Sequence, residues 1–108
     1  MNVFEVVVEP RRRQILDELR AGERAVGDLV ATLGMTQPAV SKHLRTLRTA
    51  GLVDVRPDGR LRWYRLRPRP LAELDAWLLP YRAAWADAFD ALADHLDTLP
   101  ADTAEEHP

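Results

Sequence analysis

Between Val26 and Thr49 two helical patterns follow one another with only the short link Gly34–Thr36 between them. In the first, Val26, Leu29, Val30 and Leu33 repeat at helical spacing and form one apolar stripe. Gly34 ends it, because glycine takes the left-handed conformation that closes a helix where the chain bends sharply. Thr36 is placed to cap the second helix, and Pro38 falls in its first turn, where a missing N–H costs little. Val40, Leu44 and Leu47 then recur at i, i+4 and i+7 and point inward. Gln37, Ser41, Lys42, Arg45, Arg48 and Thr49 lie on other faces, and Gly51 stops the helix. Two short helices bent at a glycine make a helix-turn-helix.

A hairpin follows. Leu52–Arg56 and Leu61–Leu66 read as two strands, with turn chemistry in Pro57-Asp58-Gly59-Arg60. Val53 and Val55 alternate with Asp54 and Arg56. On the second strand Leu61 and Trp63 alternate with Arg62, Tyr64 and Leu66, so either face can be the inner one. Arg56, Arg60, Arg62 and Arg65 give the hairpin a basic tip.

Upstream, Asn2–Val8 is short and apolar, with Val3, Phe4, Val7 and Val8 at helical spacing. Pro10 opens a helix to about Ala21 that turns Ile15, Leu16 and Leu19 inward and stops at Gly22. Arg11, Arg12 and Arg13 in its first turn oppose the helix dipole unless an anion is near: a phosphate, Glu9 or Asp17. Downstream, Leu71, Leu74, Leu78, Tyr81, Trp85, Phe89, Leu92 and Leu96 advance by threes and fours, one stripe along a helix reaching about Leu99. Pro80 either kinks that helix or splits it. The expected fold is mainly α (α+β): a winged helix-turn-helix with a two-stranded β-hairpin wing and a long C-terminal dimerisation helix. Residues 1–99 form one domain, and 100–108 an acidic disordered tail.

The net charge of −2 conceals a split. Residues 1–70 carry 14 basic and 8 acidic side chains, whereas residues 71–108 carry Arg82 against nine acids. Thr36–Arg69 alone holds nine basic residues against Asp54 and Asp58. Local field, not the average, guides binding. An exposed helix face that enters a DNA groove needs donors and acceptors near its N-terminus. Gln37 offers both to adenine, and Ser41 reaches a base or a phosphate. Gln37, Ser41 and either His43 or Arg45 are expected at base edges. Thr36, Lys42, Arg48, Arg60 and Arg62 are expected at the backbone or minor groove. His43 has an equal alternative, local packing beside Leu44. Trp63 and Tyr64 fit a hairpin core better than base stacking. Trp77, Tyr81, Trp85 and Phe89 fit helix packing between copies better than a ligand pocket.

Other chemistries find no residues. The chain has no cysteine, so no disulfide and no thiolate metal site. It offers no paired carboxylates around a pocket and no phosphate-binding glycine loop. Ser41 and His43 are two apart on a helix and face different ways, so they form no relay. No catalytic residue, metal ligand or cofactor is expected. No run is long and apolar enough to cross a membrane, and the charges at the start follow its apolar stretch, unlike a signal peptide. A cytoplasmic protein with no membrane partner is expected.

The run Gln37-Pro38-Ala39-Val40-Ser41-Lys42-His43-Leu44, then Leu47, Ala50-Gly51-Leu52-Val53 and the Gly59 wing, with PRRRQILDEL upstream, resembles the ArsR/SmtB family of bacterial winged-helix repressors. The likeness runs over residues 3–99. It implies a homodimer on operator DNA, built mainly from the first and last helices. Val3, Phe4, Val7, Leu78, Tyr81, Trp85, Phe89 and Leu92 would then form the dimer interface. The metal-sensing members place cysteines near positions 26–29, or Asp, His and Glu ligands on the last helix. Here Val26-Gly27-Asp28-Leu29 occupies the first, and Asp87, Asp94 and His95 do not form the paired ligand pattern of the second. The resemblance is therefore to members without those sites, and no residue set marks a small-molecule inducer. The competing expectation is a winged-helix protein-interaction module without DNA binding.

Overall fold

Asn2 opens the first helix by accepting the N–H of Glu5 on its side-chain oxygen at 3.0 Å. The computed structural model describes residues 1–99. The segment 100–108, where a disordered tail was expected, lies outside the described residues. The elements run α1 (Val3–Val8), α2 (Pro10–Arg20), β1 (Arg24–Ala25), α3 (Val26–Leu33), α4 (Gln37–Thr49), β2 (Val53–Asp58), β3 (Leu61–Leu66) and α5 (Leu71–Asp97). They fall into two compact units, residues 1–75 and a second beginning at Ala76.

In the first unit, α1 buries Val3 and Val6, while Phe4 and Val7 are half-buried. The expected stripe differs at two positions. Val6 is fully buried and Val8 is 72 % exposed, because a six-residue helix that meets α2 at once buries only one narrow side. Glu9 joins the two helices. Its backbone ends α1, and its carboxylate caps α2 by accepting the N–H of Arg12 at 3.0 Å. Glu9 is thus the anion that the arginines of that first turn require. Arg12 and Arg13 reach back and donate to the last carbonyls of α1: Arg12 to Val6 at 3.2 Å, Arg13 to Val7 at 2.6 Å and Val8 at 3.0 Å. Those carbonyls have no intrahelical donor, so the guanidinium groups take that place.

The core gathers one side of each following helix. Ile15, Leu16 and Leu19 come from α2, Leu29 from α3, and Val40, Leu44 and Leu47 from α4, joined by Met35, Leu52 and Val53. Asp28 reaches back to the N–H of Ala25 at 3.2 Å and fixes the start of α3. Gly34 ends α3 at φ +64°, donating its N–H to Val30 at 3.0 Å. Thr36 then caps α4 through its hydroxyl, which accepts the N–H of Ala39 at 3.3 Å.

The expected two-stranded hairpin wing is present as β2 and β3, and the sheet adds a short strand to it. The sheet has three antiparallel strands in the order β1-β3-β2, since Arg24 and Ala25 pair with Tyr64 and Trp63. The turn is also tighter than expected. β2 continues through Pro57 and Asp58, Asp58 pairs with Leu61, and only Gly59-Arg60 link the strands. Gly59 carries the positive φ, +62°, that two-residue hairpins favour. Pro57 is tolerated because β2 is an edge strand. The inner face of β3 is that of Tyr64 and Leu66, which pack on the core. Leu61 is exposed, and the half-buried Trp63 donates its indole N–H to Asp58 at 3.3 Å.

α5 runs without a break through Pro80 for 27 residues, so it is not split. Proline has no N–H for the carbonyl of Ala76. The first turn belongs to the first unit, where Leu71 and Leu74 pack on the core. Nothing in α5 is fully buried. From Ala76 onward, Tyr81, Trp85, Phe89, Leu92 and Leu96 are all exposed.

Candidate nucleic-acid interface

α4 has one apolar side, and burying it decides what its other sides present. Val40, Leu44 and Leu47 are at most 1 % exposed, so the helix cannot roll without pulling them from the core. At 3.6 residues per turn, Gln37, Ser41, Arg45 and Arg48 fall within about 80° of arc on one flank. That flank meets the hairpin. Ser41, Leu44, Arg45 and Arg48 line one cleft with Arg62 and Tyr64 of β3. Gln37 lines a second cleft with Arg60, Leu61 and Arg62 and with the start of α3 at Val26 and Gly27. Period-two alternation explains the position of Arg62. It shares the face of Tyr64 and Leu66, and so points to α4 where the hairpin passes beyond the core.

The remaining predicted residues lie elsewhere on α4. Lys42 is exposed beyond this flank, and Thr36 sits at the N-cap. His43 lies on the opposite flank. Its side chain is 18 % exposed, with Nε2 3.9 Å from Glu9 Oε2 at the start of α2. The sequence spacing of Ser41 and His43 correctly separates the two.

The hairpin arginines divide into two classes, which corrects the expected four-arginine basic tip. Arg56 donates to Glu23 at 2.9 Å, across the sheet from the loop before β1. Arg65 grips Asp54 with two hydrogen bonds at 2.6 and 3.1 Å, and Arg67 adds a third at 2.8 Å. The Arg56 hydrogen bond holds the Glu23 carboxyl below its ordinary range, and the pair raises Arg56 in turn. Arg65 does the same to Asp54 against the opposing effect of burial, with Arg67 assisting. At Glu9 burial disfavours the charged form, but the N–H groups of Arg12 and Arg11 and the nearby His43 outweigh it and lower its pKa. Arg56 and Arg65 are therefore largely neutralised within the fold. The side chains of Lys42, Arg45, Arg48, Arg60 and Arg62 form no ion pair among the described residues, nor do those of Arg11, Arg20 and Arg69. Five of these eight cations lie on α4 or the hairpin tip.

Sequence reasoning named neither Glu23 nor Asp54 as a partner, and it did not include Tyr64 among the residues facing α4. The alternation of the strand could have offered Tyr64 once the inner face was known. Among the described residues no group of three or more His, Cys, Asp or Glu could hold a metal ion, and no helix is long and apolar enough to cross a membrane.

Known proteins share this arrangement. Residues 9–55 match the model of the arsR family of bacterial regulatory proteins, from the cap of α2 through α4 into β2. The chain is 38 % identical over 100 residues to the HTH-type transcriptional regulator Rv2034 of Mycobacterium tuberculosis, covering 93 % of this chain and 91 % of that one. It is 31 % identical over 80 residues to the transcriptional repressor SdpR of Bacillus subtilis, covering 74 % and 89 %. Among solved structures, the homodimeric winged helix-turn-helix DNA-binding domain Mb0332 of Mycobacterium bovis superposes with a TM-score of 0.61 at 34 % identity, over 75 % of each chain. With a helix-turn-helix, a hairpin wing and likeness along almost its whole length, this chain belongs to the arsR family of bacterial regulatory proteins and is a DNA-binding transcriptional regulator.

Proposed function

We propose that two copies of this chain bind operator DNA as a repressor, with α4 in the major groove and the hairpin tip against the backbone or minor groove. Gln37 and Ser41, in the first turns of α4, read base edges. Lys42, Arg45, Arg48, Arg60 and Arg62 supply charge to phosphates. One observation carries this reading: Arg56, Arg65 and Arg67 are paired inside the fold, whereas the cations of α4 and of the hairpin tip are not. A solvated face would need no such sorting. SdpR is a repressor and the Mycobacterium bovis domain is homodimeric, and the shared family supports both for this chain.

The exposed stripe of α5 supports pairing. Trp85 is 49 % exposed and Phe89 67 %, on a helix of 27 residues in which Tyr81, Trp85, Phe89, Leu92 and Leu96 share one side and Leu79 lies exposed off it. A soluble chain seldom leaves so large an apolar strip to water. Leu78, Tyr81, Trp85, Phe89 and Leu92 would pack against the same residues of a second copy. Phe4 and Val7 of α1, half-buried, offer further apolar area, whereas Val3 is already consumed by its own core. Two copies would present their α4 helices to half-sites about one helical turn, roughly 34 Å, apart.

Selection from a random-sequence duplex pool at physiological salt tests the reading. Enrichment of a sequence with two-fold symmetry is expected, with Gln37→Ala changing the preferred bases. A protein that enriches no sequence, at any concentration that keeps it folded, is not an operator-binding repressor, and the interaction-module alternative takes its place.

A further inference from the structure

The cleft between α4 and β3 has a composition that the interface as a whole does not. Leu44, 1 % exposed, forms its floor, and Ser41, Arg45, Arg48, Arg62 and Tyr64 form its walls, around about 200 Å³. No carboxylate lines it. The nearest acids in the sheet, Asp54 and Asp58, are engaged with Arg65, Arg67, Arg56 and Trp63. Neither the guanidinium groups of Arg45, Arg48 and Arg62 nor the hydroxyls of Ser41 and Tyr64 have a hydrogen-bond partner among the described residues. Three like charges around one small hollow repel each other, and an anion entering it relieves that repulsion. The Tyr64 ring packs on the core, so its hydroxyl is held in place rather than carried on a flexible stem.

From this geometry we infer that the cleft is a seat for one phosphate group of the DNA backbone, with Tyr64 as a phosphate-binding residue beside Arg48 and Arg62. The inference rests on the DNA-binding reading above and sharpens it. Arg45, first expected at a base edge, is drawn to the backbone as well, which leaves base reading to Gln37 and Ser41. A phosphodiester suits the site because its two free oxygens accept from a hydroxyl and from forked guanidinium donors at once. A base edge is a poorer fit, since it would bring donors of its own toward three cations.

The test uses the full chain and the duplex enriched by the selection described above. Tyr64→Phe keeps the ring and removes the hydroxyl, so the fold is retained, which a thermal melt verifies. It is expected to weaken binding about tenfold, equally for all sequences. The salt slope should stay the same, because no charge is lost. Arg48→Gln should instead reduce that slope by about 0.9 per half-site, about 1.8 for the two copies. A series of duplexes, each with one neutral methylphosphonate, then locates the contact. Among the positions where a methylphosphonate weakens wild type, one in each half-site should be where Tyr64→Phe causes no further loss. Wild-type affinity in Tyr64→Phe overturns the assignment, as does a loss that persists at every methylphosphonate position. The source of the phosphate is separated by titrating inorganic phosphate into DNA-free protein at fixed ionic strength, following the Tyr64 ring resonances. No saturable change is expected. Saturation at micromolar phosphate would give the cleft to a free phosphorylated ligand and overturn the backbone assignment. If wild type enriches no duplex at all, the operator reading fails first. If it does and Tyr64→Phe is silent, only the cleft assignment fails.

Discussion

α4 and α5 are both amphipathic, yet they meet water in opposite ways. α4 puts Val40, Leu44 and Leu47 at or near zero exposure and turns polar and cationic residues outward. α5 carries a longer apolar stripe and leaves it open, with Phe89 at 67 % and Leu96 at 55 % exposure. The first helix buries its apolar side within one chain. The second leaves its apolar side exposed, and on the function proposed above a second copy covers it. The same period in sequence therefore serves two ends, according to whether the rest of the chain supplies a cover.

The sharpest way to break that contrast is to hollow out α4. Leu44→Ala should cost about 2–5 kcal/mol by removing a fully packed side chain. Chemical denaturation should show this loss whether or not the protein is dimeric. Trp85→Ala with Phe89→Ala should act on association instead. Each truncation is expected to weaken pairing by about 2 kcal/mol, a value common for central aromatic anchors. Sedimentation should then show monomers at concentrations where the unaltered chain pairs. If the double variant unfolds at the same concentration dependence as wild type, α5 is not the pairing surface.

A smaller effect separates the two classes of hairpin arginine. Arg60→Gln with Arg62→Gln should reduce the slope of log affinity against log salt by about 0.9 per lost phosphate contact. Arg65→Gln, which breaks an internal pair, should leave the slope nearly unchanged and loosen the sheet. Equal slopes for the two changes would erase the distinction. The smallest effect is with pH. The Asp54 carboxyl is held below its ordinary value by Arg65 and Arg67 when folded. Its contribution to the wing is thus fully present above the unfolded value and is lost as pH falls through the lower, folded one. Protection factors of the β2 and β3 amides, corrected for the intrinsic exchange rate, should fall below the ordinary aspartate range, and Asp54→Asn should reduce that dependence.

Much of the first unit was legible because its signals are local. Gly34, Thr36 and Pro38 act within a turn of where they stand, and each has the backbone role its chemistry dictates. The stripe of α5 was equally plain, since spacing alone defines it. What escaped depended on residues far apart. Arg24 and Ala25 become a strand only because β3 offers them a free side, and two residues carry no pattern of their own. The fate of Arg56 turned on Glu23, 33 positions away. The inner face of β3 was ambiguous because both of its faces carry large apolar residues. Position against the core chose Tyr64 and Leu66, and that choice in turn aimed Arg62 at α4. Among the candidate DNA contacts, type and charge could be read from the sequence. Which cations were already spoken for could not, since pairing is a property of the folded sheet.

Pro57 has a consequence for neighbours. The outer margin of β2 is open, and a row of backbone donors there would invite another molecule's hairpin to zip onto it. With a ring in place of an N–H, and Arg56 and Asp58 on either side, that margin is a poor template for a further strand. Two molecules brought side by side would thus find no ready strand-to-strand joint at this margin.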